Sequence, residues 1–331
     1  MKKIIIIFFI LFVVVYFFRE DINNIITGKI VEDVTEEKMI PQDFGEIEIL
    51  FCQVNDCEGK LIEIIEKSDK IDCAFYDLDL EKLMSSLNKK EYRLVVDDAN
   101  MKDVTLSNVK TDKSGALMHN KFCVFDKTFI ITGSMNPTVN DVKRNDNNLV
   151  FIESRTLAEN YENEFNEMWN GNFGVGDKVE NSKLYFNGNL IENYFCPEDA
   201  CEENVINLIK NTKERVYFMT FSFTSDRIGE EIIKNYYYGI DVKGVFDNSQ
   251  AGSKYSEFYK MNELGMNVLR DKNKGFMHHK VFIIDDAVVL GSYNPTGSGN
   301  NKNDENVLII HDKNIVEKFV EEFERVYEKS T

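Results

Sequence analysis

The sequence predicts an α/β protein of two tandem α/β/α sandwich halves related by pseudo-two-fold symmetry, preceded by an N-terminal membrane anchor helix. Three observations carry this expectation. Strand-like apolar runs alternate with helix-period segments, as they do where a largely parallel sheet is covered by helices. The same succession occurs twice, with like residues at matching positions. The chain also opens on an unbroken apolar run, residues 4–18, behind Lys2 and Lys3. With 331 residues, 43% of them apolar, there is enough chain for two cores, and a wholly disordered polymer is excluded.

In order along the chain, residues 1–18 read as a signal anchor and transmembrane segment. Fifteen apolar residues span roughly 22 Å as a helix, short of a ~30 Å hydrocarbon core, and Lys2, Lys3 and Arg19 can snorkel to make up part of the difference. A cleaved signal peptide has an apolar region of similar length, but Arg19-Glu20-Asp21 offers none of the small residues that cleavage needs. A buried core helix is the third reading. Lysines before the run and acids after it favour a cytoplasmic N-terminus, giving a single-pass, membrane-anchored protein with an extracytoplasmic body. Residues 19–46 are polar, acidic and aperiodic, and read as a stalk.

The first half is expected over 47–180 and the second over 190–331, with the glycine-rich stretch 170–176 marking the junction. Each half opens on Phe-Cys-x4-Cys-Glu, with Cys52 and Cys57 in one and Cys196 and Cys201 in the other. A local disulfide in each half fits an oxidising compartment. One zinc ion held by all four, or free thiols, are the rival readings. Cys73 and Cys123 fall inside apolar strand-like runs. After each cysteine pair comes an amphipathic helix, then a strand (71–76 and 216–221), another helix, and a strand ending in acid at Asp97 and Asp247.

Late in each half the repeat sharpens. His119-x-Lys121-x4-Asp126 is followed by Gly133-Ser134-x-Asn136-Pro137-Thr138; His278-x-Lys280-x4-Asp285 is followed by Gly291-Ser292-x-Asn294-Pro295-Thr296. Residues two apart on a strand share a face, so each His points with its Lys. Each half therefore offers an imidazole, an ammonium, a hydroxyl and an amide, a set suited to a tetrahedral phosphate. The gap from Asp285 to Gly291 is one residue shorter than that from Asp126 to Gly133, which a tighter hairpin turn can absorb. His279 should face away from His278 in a structural role, and His311 lies outside any motif.

These residues resemble the HKD signature of the phospholipase D superfamily, present twice as in its single-chain members, and the resemblance covers nearly everything after about residue 47. Gly-Ser-x-Asn-x-Thr is similar to the small bacterial endonucleases and the mitochondrial cardiolipin hydrolases. The Asp-x-Arg-Ser that usually follows the asparagine in cardiolipin synthases is absent, which makes a transferase the less expected outcome. The resemblance implies two phospholipase D-like halves and a metal-independent phosphodiesterase with no cofactor. One histidine attacks phosphorus to form a phosphohistidine, while the other protonates the leaving alkoxide and then activates water. It implies His119, His278, Lys121, Lys280, Asp126, Asp285 and Glu305 as catalytic residues, with strand-end hydrogen bonding as the alternative role for Asp126 and Asp285. Lys121, Lys280, Ser134, Asn136, Ser292 and Asn294 would bind the phosphate. Family members often orient the histidines with a carboxylate placed after the asparagine. Glu305 lies eleven residues beyond Asn294, whereas Asn147 holds the corresponding place beyond Asn136. In single-chain members this contact often crosses between halves, which pairs Glu305 with His119 and makes His119 the nucleophile.

Composition bears on the substrate. Against 39 Lys and Arg stand 57 Asp and Glu, a net charge of -18. A long polyanion rewards a basic stripe, whereas one headgroup needs only a pocket. No cluster of Lys and Arg flanks either motif, although Lys143-Arg144 and Lys272 with Lys274 can form a small basic rim. The expected substrate is a phospholipid headgroup at the bilayer. Single-stranded DNA or RNA and a non-catalytic phosphate-binding role are the alternatives, and no obligate protein partner is implied.

Overall fold

The computed structural model describes residues 39–113 and 115–331. The expected anchor over 1–18, and the expected stalk as far as residue 38, lie outside the described residues. Among the described residues no helix is long and apolar enough to cross a membrane.

The end of the segment expected to be a stalk is built into the fold: β1 (Gln42–Asp43) is a sheet strand. In the first half, β2 (Ile47–Phe51), β3 (Lys70–Phe75), β4 (Glu91–Asp97), β5 (Val109–Asp112), β6 (Lys121–Phe125), β7 (Phe129–Gly133) and β8 (Asn148–Glu153) form one sheet in the order β2-β8-β7-β6-β3-β4-β5. Its helices are α1 (Cys57–Lys67), α2 (Glu81–Leu87), α3 (Val139–Lys143) and α4 (Arg155–Trp169). The second half repeats the plan with β9 (Lys183–Phe186), β10 (Asn189–Cys196), β11 (Arg215–Thr220), β12 (Asp241–Phe246), β13 (Asn267–Arg270), β14 (Lys280–Ile284), β15 (Ala287–Gly291) and β16 (Glu305–Ile310). Its helices are α5 (Cys201–Lys210), α6 (Asp226–Tyr237), α7 (Asn248–Ala251), α8 (Glu257–Glu263), α9 (Gly297–Asn301) and α10 (Lys313–Ser330). Here the order is β1-β9-β10-β16-β15-β14-β11-β12-β13, with β1 running parallel to β9 at the edge.

Both sheets are mixed, not largely parallel. Only β3-β4-β5 and β11-β12-β13 run parallel within the repeated plan; the strands on the other side pair antiparallel. The reason is connection length. β6 and β7 are joined by Asp126, Lys127 and Thr128, and β14 and β15 by Asp285 and Asp286, far too short for the crossover a parallel pair needs. These two turns also explain the one-residue difference between the repeats. The longer places Asp126 and Lys127 at positive φ, the shorter places Asp285 there.

Packing follows from the alternation along each strand. The inner faces of both sheets share one apolar cluster with α4 and α10, joining Phe122, Val124 and Ile152 to Met219, Val281 and Leu308 through Tyr161, Phe165, Phe319 and Phe323. The outer faces bury separate cores under α1 and α2 and under α5, α6 and α8. Both inner helices are capped at their starts: Ser154 accepts from Leu157 N–H, and Asp312 from Asn314 and Ile315 N–H. The halves are also stitched by two matched backbone bridges. Asp304 and Asp146 each exchange hydrogen bonds with the segment preceding the other half's motif. His119 N–H donates to the Asp304 carbonyl at 3.0 Å and His278 N–H to the Asp146 carbonyl at 2.9 Å.

All six cysteines are paired. Cys52–Cys57 and Cys196–Cys201 close the local turns before α1 and α5, so a four-cysteine zinc site and free thiols are both set aside. The third bond joins Cys73 to Cys123, which face each other on neighbouring strands β3 and β6 with Cα atoms 4.1 Å apart. It closes a 50-residue separation, which the chain-entropy account values at about 4 kcal/mol. Cys73→Ala with Cys123→Ala should therefore lower the melting temperature by several degrees, and more than removal of either five-residue bridge. A larger loss on removing Cys52–Cys57 would contradict the ranking.

Candidate active site

The motif segments enter the boundary between halves from symmetric directions. Asp97 ends β4 and its Oδ2 accepts from Met118 N–H at 3.1 Å; Asp247 follows β12 and its Oδ2 accepts from Met277 N–H, also at 3.1 Å. These strand-end acids fix the backbone one residue before each histidine. Lys121 and Lys280 open β6 and β14, and each Nζ donates to the carbonyl of its own histidine, at 2.6 and 3.0 Å. An aromatic edge flanks each imidazole: Tyr76 meets the His119 ring at 4.9 Å and Phe221 the His278 ring at 4.8 Å. The same two rings lie under the Lys121 and Lys280 ammonium groups, at 5.2 Å each. Both histidines are only 7% exposed.

The polar groups bonding the two Nδ1 atoms both come from the opposite half. Glu305 Oε2 lies 2.7 Å from His119 Nδ1 and also accepts from the Ser292 hydroxyl at 2.7 Å. Asn147 Oδ1 lies 3.0 Å from His278 Nδ1 and accepts from the Ser134 hydroxyl at 3.3 Å. The two serines thus brace the histidine partners. Asn136 and Asn294 sit beside them, each with a buried Oδ1 that has no hydrogen-bond partner.

Asp126 and Asp285 do not join this cluster. They occupy the hairpin turns at the far ends of β6 and β14, five residues or ~16 Å along the strand from the lysines. Asp126 accepts from the N–H groups of Asp69 and Lys70, and Asp285 from those of Lys213, Glu214 and Arg215. A carboxylate there satisfies amides at the starts of β3 and β11, which would otherwise be left unpaired. The expectation that these acids belong with the catalytic groups is corrected on that geometry.

Other residues complete the centre that sequence reasoning did not single out. Tyr76 and Phe221 carry no signal beyond directly following β3 and β11. His279 points away from His278, its Nε2 3.0 Å from Glu322 and its Nδ1 3.0 Å from Asn148 Nδ2, so its role is structural. Its counterpart Asn120 accepts from Asn306 Nδ2 at 2.8 Å, forming the matching inner network. His311 pairs with Glu192 at 2.9 Å.

The electrostatics follow from crowding cations in a dry place. Burial, reinforced by the nearby Lys121 and Lys280, holds both imidazoles well below the usual histidine range. Burial likewise lowers the Lys121 ammonium to about 8, with Glu305 and Asp141 opposing. Lys280 is pushed well down by burial and then by Lys121. Burial lifts Glu305 to about 8, against the pull of Lys121, Ser292 and Lys280. Two neutral imidazoles and two strained ammonium groups make a pocket poised to accept negative charge. A bound anion raises every one of those cationic pKa values at once.

The family described as "Cardiolipin synthase, PLD-like domain" matches residues 52–169 and 205–327, one copy in each half. The chain belongs to the phospholipase D superfamily. Similar curated proteins include "Phospholipase D" of Rickettsia prowazekii, 29% identical over 128 residues, covering 38% of this chain and 62% of the relative. "Mitochondrial cardiolipin hydrolase" of Xenopus tropicalis is 28% identical over 138 residues, covering 40% of this chain and 66% of the relative. The matches thus span somewhat under two thirds of those relatives' length. Among solved structures, phosphatidylserine synthase of Haemophilus influenzae Rd KW20 superposes with a TM-score of 0.65 at 12% identity, covering 86% of each chain. At that identity the likeness speaks for the fold alone.

Proposed function

We propose that this protein is a phosphodiesterase of phospholipase D type, hydrolysing phospholipid headgroup esters through a phosphohistidine without a metal ion. One observation carries the reading: two His–Lys pairs, one from each half, meet with their Nδ1 atoms held by Glu305 and Asn147 of opposite halves. Lys121, Lys280 and the Asn136 and Asn294 side chains cradle the non-bridging oxygens. His119, its Nδ1–H donated to Glu305, attacks phosphorus through Nε2, and the P–O bond to the leaving alkoxide breaks. His278, protonated once the anion is bound, gives that alkoxide its proton. It then takes a proton from water, whose oxygen attacks the phosphohistidine and frees the phosphate monoester and His119.

Two features favour lipid over a long polyanion. Leu117 and Phe276, two residues before each histidine, are 37% and 47% exposed, and the Phe276 ring packs on Phe221, which edges His278, so exposed apolar side chains lie close to the motif. The net charge of -18 also disfavours holding a long polyanion by bulk charge. An N-terminal anchor over 1–18 would hold the body beside its bilayer substrate, outside the cytoplasm.

The full-length protein should hydrolyse cardiolipin or phosphatidylcholine vesicles in EDTA. Loss of turnover on chelation would overturn the metal-free mechanism, and cleavage of single-stranded DNA without lipid turnover would move the substrate to nucleic acid. The pH dependence is also set by the site. Lys121 is charged below about 8 and neutral above it, so the KM for an anionic diester should be flat near pH 7 and climb above pH 8. A KM that falls on raising the pH would contradict the phosphate-binding role of Lys121.

A further inference from the structure

The two halves treat their histidines unequally. His119 has a carboxylate on Nδ1, whereas His278 has the uncharged amide of Asn147. Yet a carboxylate stands behind that amide. Asp141, on α3, places Oδ2 3.7 Å from His278 Nδ1. The same oxygen accepts from Asn136 N–H at 2.6 Å, and Oδ1 accepts from Asn145 Nδ2 at 2.5 Å. Asn147 Nδ2 in turn donates to the Asp141 carbonyl at 3.1 Å. One residue therefore touches the partner of His278, the backbone of a phosphate ligand, and the edge of His278 itself. It is 3% exposed.

The repeat supplies a control. α3 and α9 are capped alike, by Thr138 accepting from Asp141 N–H and Thr296 accepting from Gly299 N–H. Gly299 thus holds the place of Asp141 in the second half. A Cβ there would lie 2.4 Å from the Asn294 carbonyl oxygen, so that half has no room for the same side chain without a backbone shift. Each half then carries one carboxylate toward the opposite histidine, from a different element: β16 supplies Glu305 and α3 supplies Asp141.

We propose that Asp141 is the positioning carboxylate of His278, supplying the negative charge that the first half lacks at Asn147. Its charge favours the imidazolium that must form when a phosphate is bound, while the Asn147 amide sets the ring's orientation. The groups that bear on His278 are Lys280 and His279 from its own segment, and Lys121 and His119 from the facing one. Asn147 lies before β8, and the Phe221 ring stands at its edge. The four titratable neighbours all oppose a proton on His278, whereas Asp141, the carboxylate at its edge, favours it; burial pushes the Asp141 carboxyl up, and the bonds from Asn145 and Asn136 together with the nearby Lys280 hold it down. The role assigned to that proton rests on the phosphodiesterase reading, but the geometry does not.

The test is Asp141→Asn in the full-length protein, since the amide can still accept from Asn136 N–H and keeps the shape. In the presence of inorganic phosphate, the NMR titration of His278 should move down by about one pH unit, the low end for loss of an opposite charge at this range. The alkaline limb of kcat should move down with it, leaving turnover about tenfold lower at pH 8 and close to wild type at the acid end. The double variant Asp141→Asn with Asn147→Glu should recover both. A uniform loss at every pH with His278 titrating as before would overturn the proposal and leave Asp141 a cap for Asn136. Should Asp141→Asn not fold, the carboxylate carbon of Asp141 in the unmodified protein should show an inflection shared with His278, and its absence would be equally fatal. The phosphate titration needs no turnover. A protein that hydrolyses no diester would sink the proposed function while this measurement still reads the coupling.

Discussion

His119→Asn should leave a folded protein that forms no covalent phosphoenzyme and turns over diesters at least about 10³-fold more slowly, a loss of ~4 kcal/mol in barrier. The residue is 7% exposed and its side chain bonds to Glu305 and to the Ser292 backbone, contacts at the site and not among the apolar clusters that hold the two sheets together, so the fold should survive their loss. His278→Asn should depress steady turnover to a similar extent with a different signature. Attack by His119 still proceeds, slowly, on a substrate whose leaving group needs no proton, such as a nitrophenyl ester. The resulting phosphohistidine then lacks the base that activates water. Labelled phosphate should accumulate on the His278→Asn protein after denaturation at neutral pH and be missing from His119→Asn. Label on His119→Asn alone would reverse the two roles.

Glu305→Gln should trade activity for stability. The amide can still accept from His119 Nδ1–H and from Ser292, but unlike the carboxyl it cannot ionise as a cationic phosphohistidine forms beside it, and a drop of about 10²–10³-fold in kcat is expected. Stability should move the other way. Burial lifts the Glu305 carboxyl from 4.5 to about 8, so its folded form prefers the proton more than its unfolded form does. Stability from this group is complete below pH 4.5, falls as pH rises from there to about 8, and stays low above it. A neutral amide escapes that loss. At pH 8 the variant should melt higher than the wild type by a margin worth up to a few kcal/mol, and the gap should close toward pH 5. A variant that melts lower at pH 8 would show that Glu305 is held ionised by Lys121 and Lys280 more firmly than burial opposes.

How much of this was legible beforehand depends on whether a residue's partner lies at fixed spacing or across the fold. The doubled motif put His119 with Lys121 and His278 with Lys280, because residues two apart along an extended chain share a face. Glu305 was found by counting from Asn294. Asp126 and Asp285 were drawn in by belonging to the same motif, although five residues of strand carry them to the opposite end of the sheet. The Cys73–Cys123 bond was invisible because it depends on the register of β3 against β6, which no local pattern states. Asp141 was missed for another reason. Its matching residue is glycine, so a search for repeated chemistry passes over it. The mixed sheets escaped notice because strand–helix alternation in the first part of each half implies parallel neighbours, and the two short hairpins that reverse the direction come later.

The matched bridges at Asp304 and Asp146 have a consequence for what a divided site can become. Two separate identical subunits meeting this way must furnish identical imidazole settings, since whatever one copy presents the other presents too. Joining the copies in one polypeptide lifts that obligation while the bridges preserve the geometry. The chain uses the freedom at four corresponding places: glutamate against asparagine at 305 and 147, histidine against asparagine at 279 and 120, aspartate against glycine at 141 and 299, and tyrosine against phenylalanine at 76 and 221. A symmetric pair of histidines is thereby turned into two instruments with separate tuning, within a scaffold that still looks the same from either side.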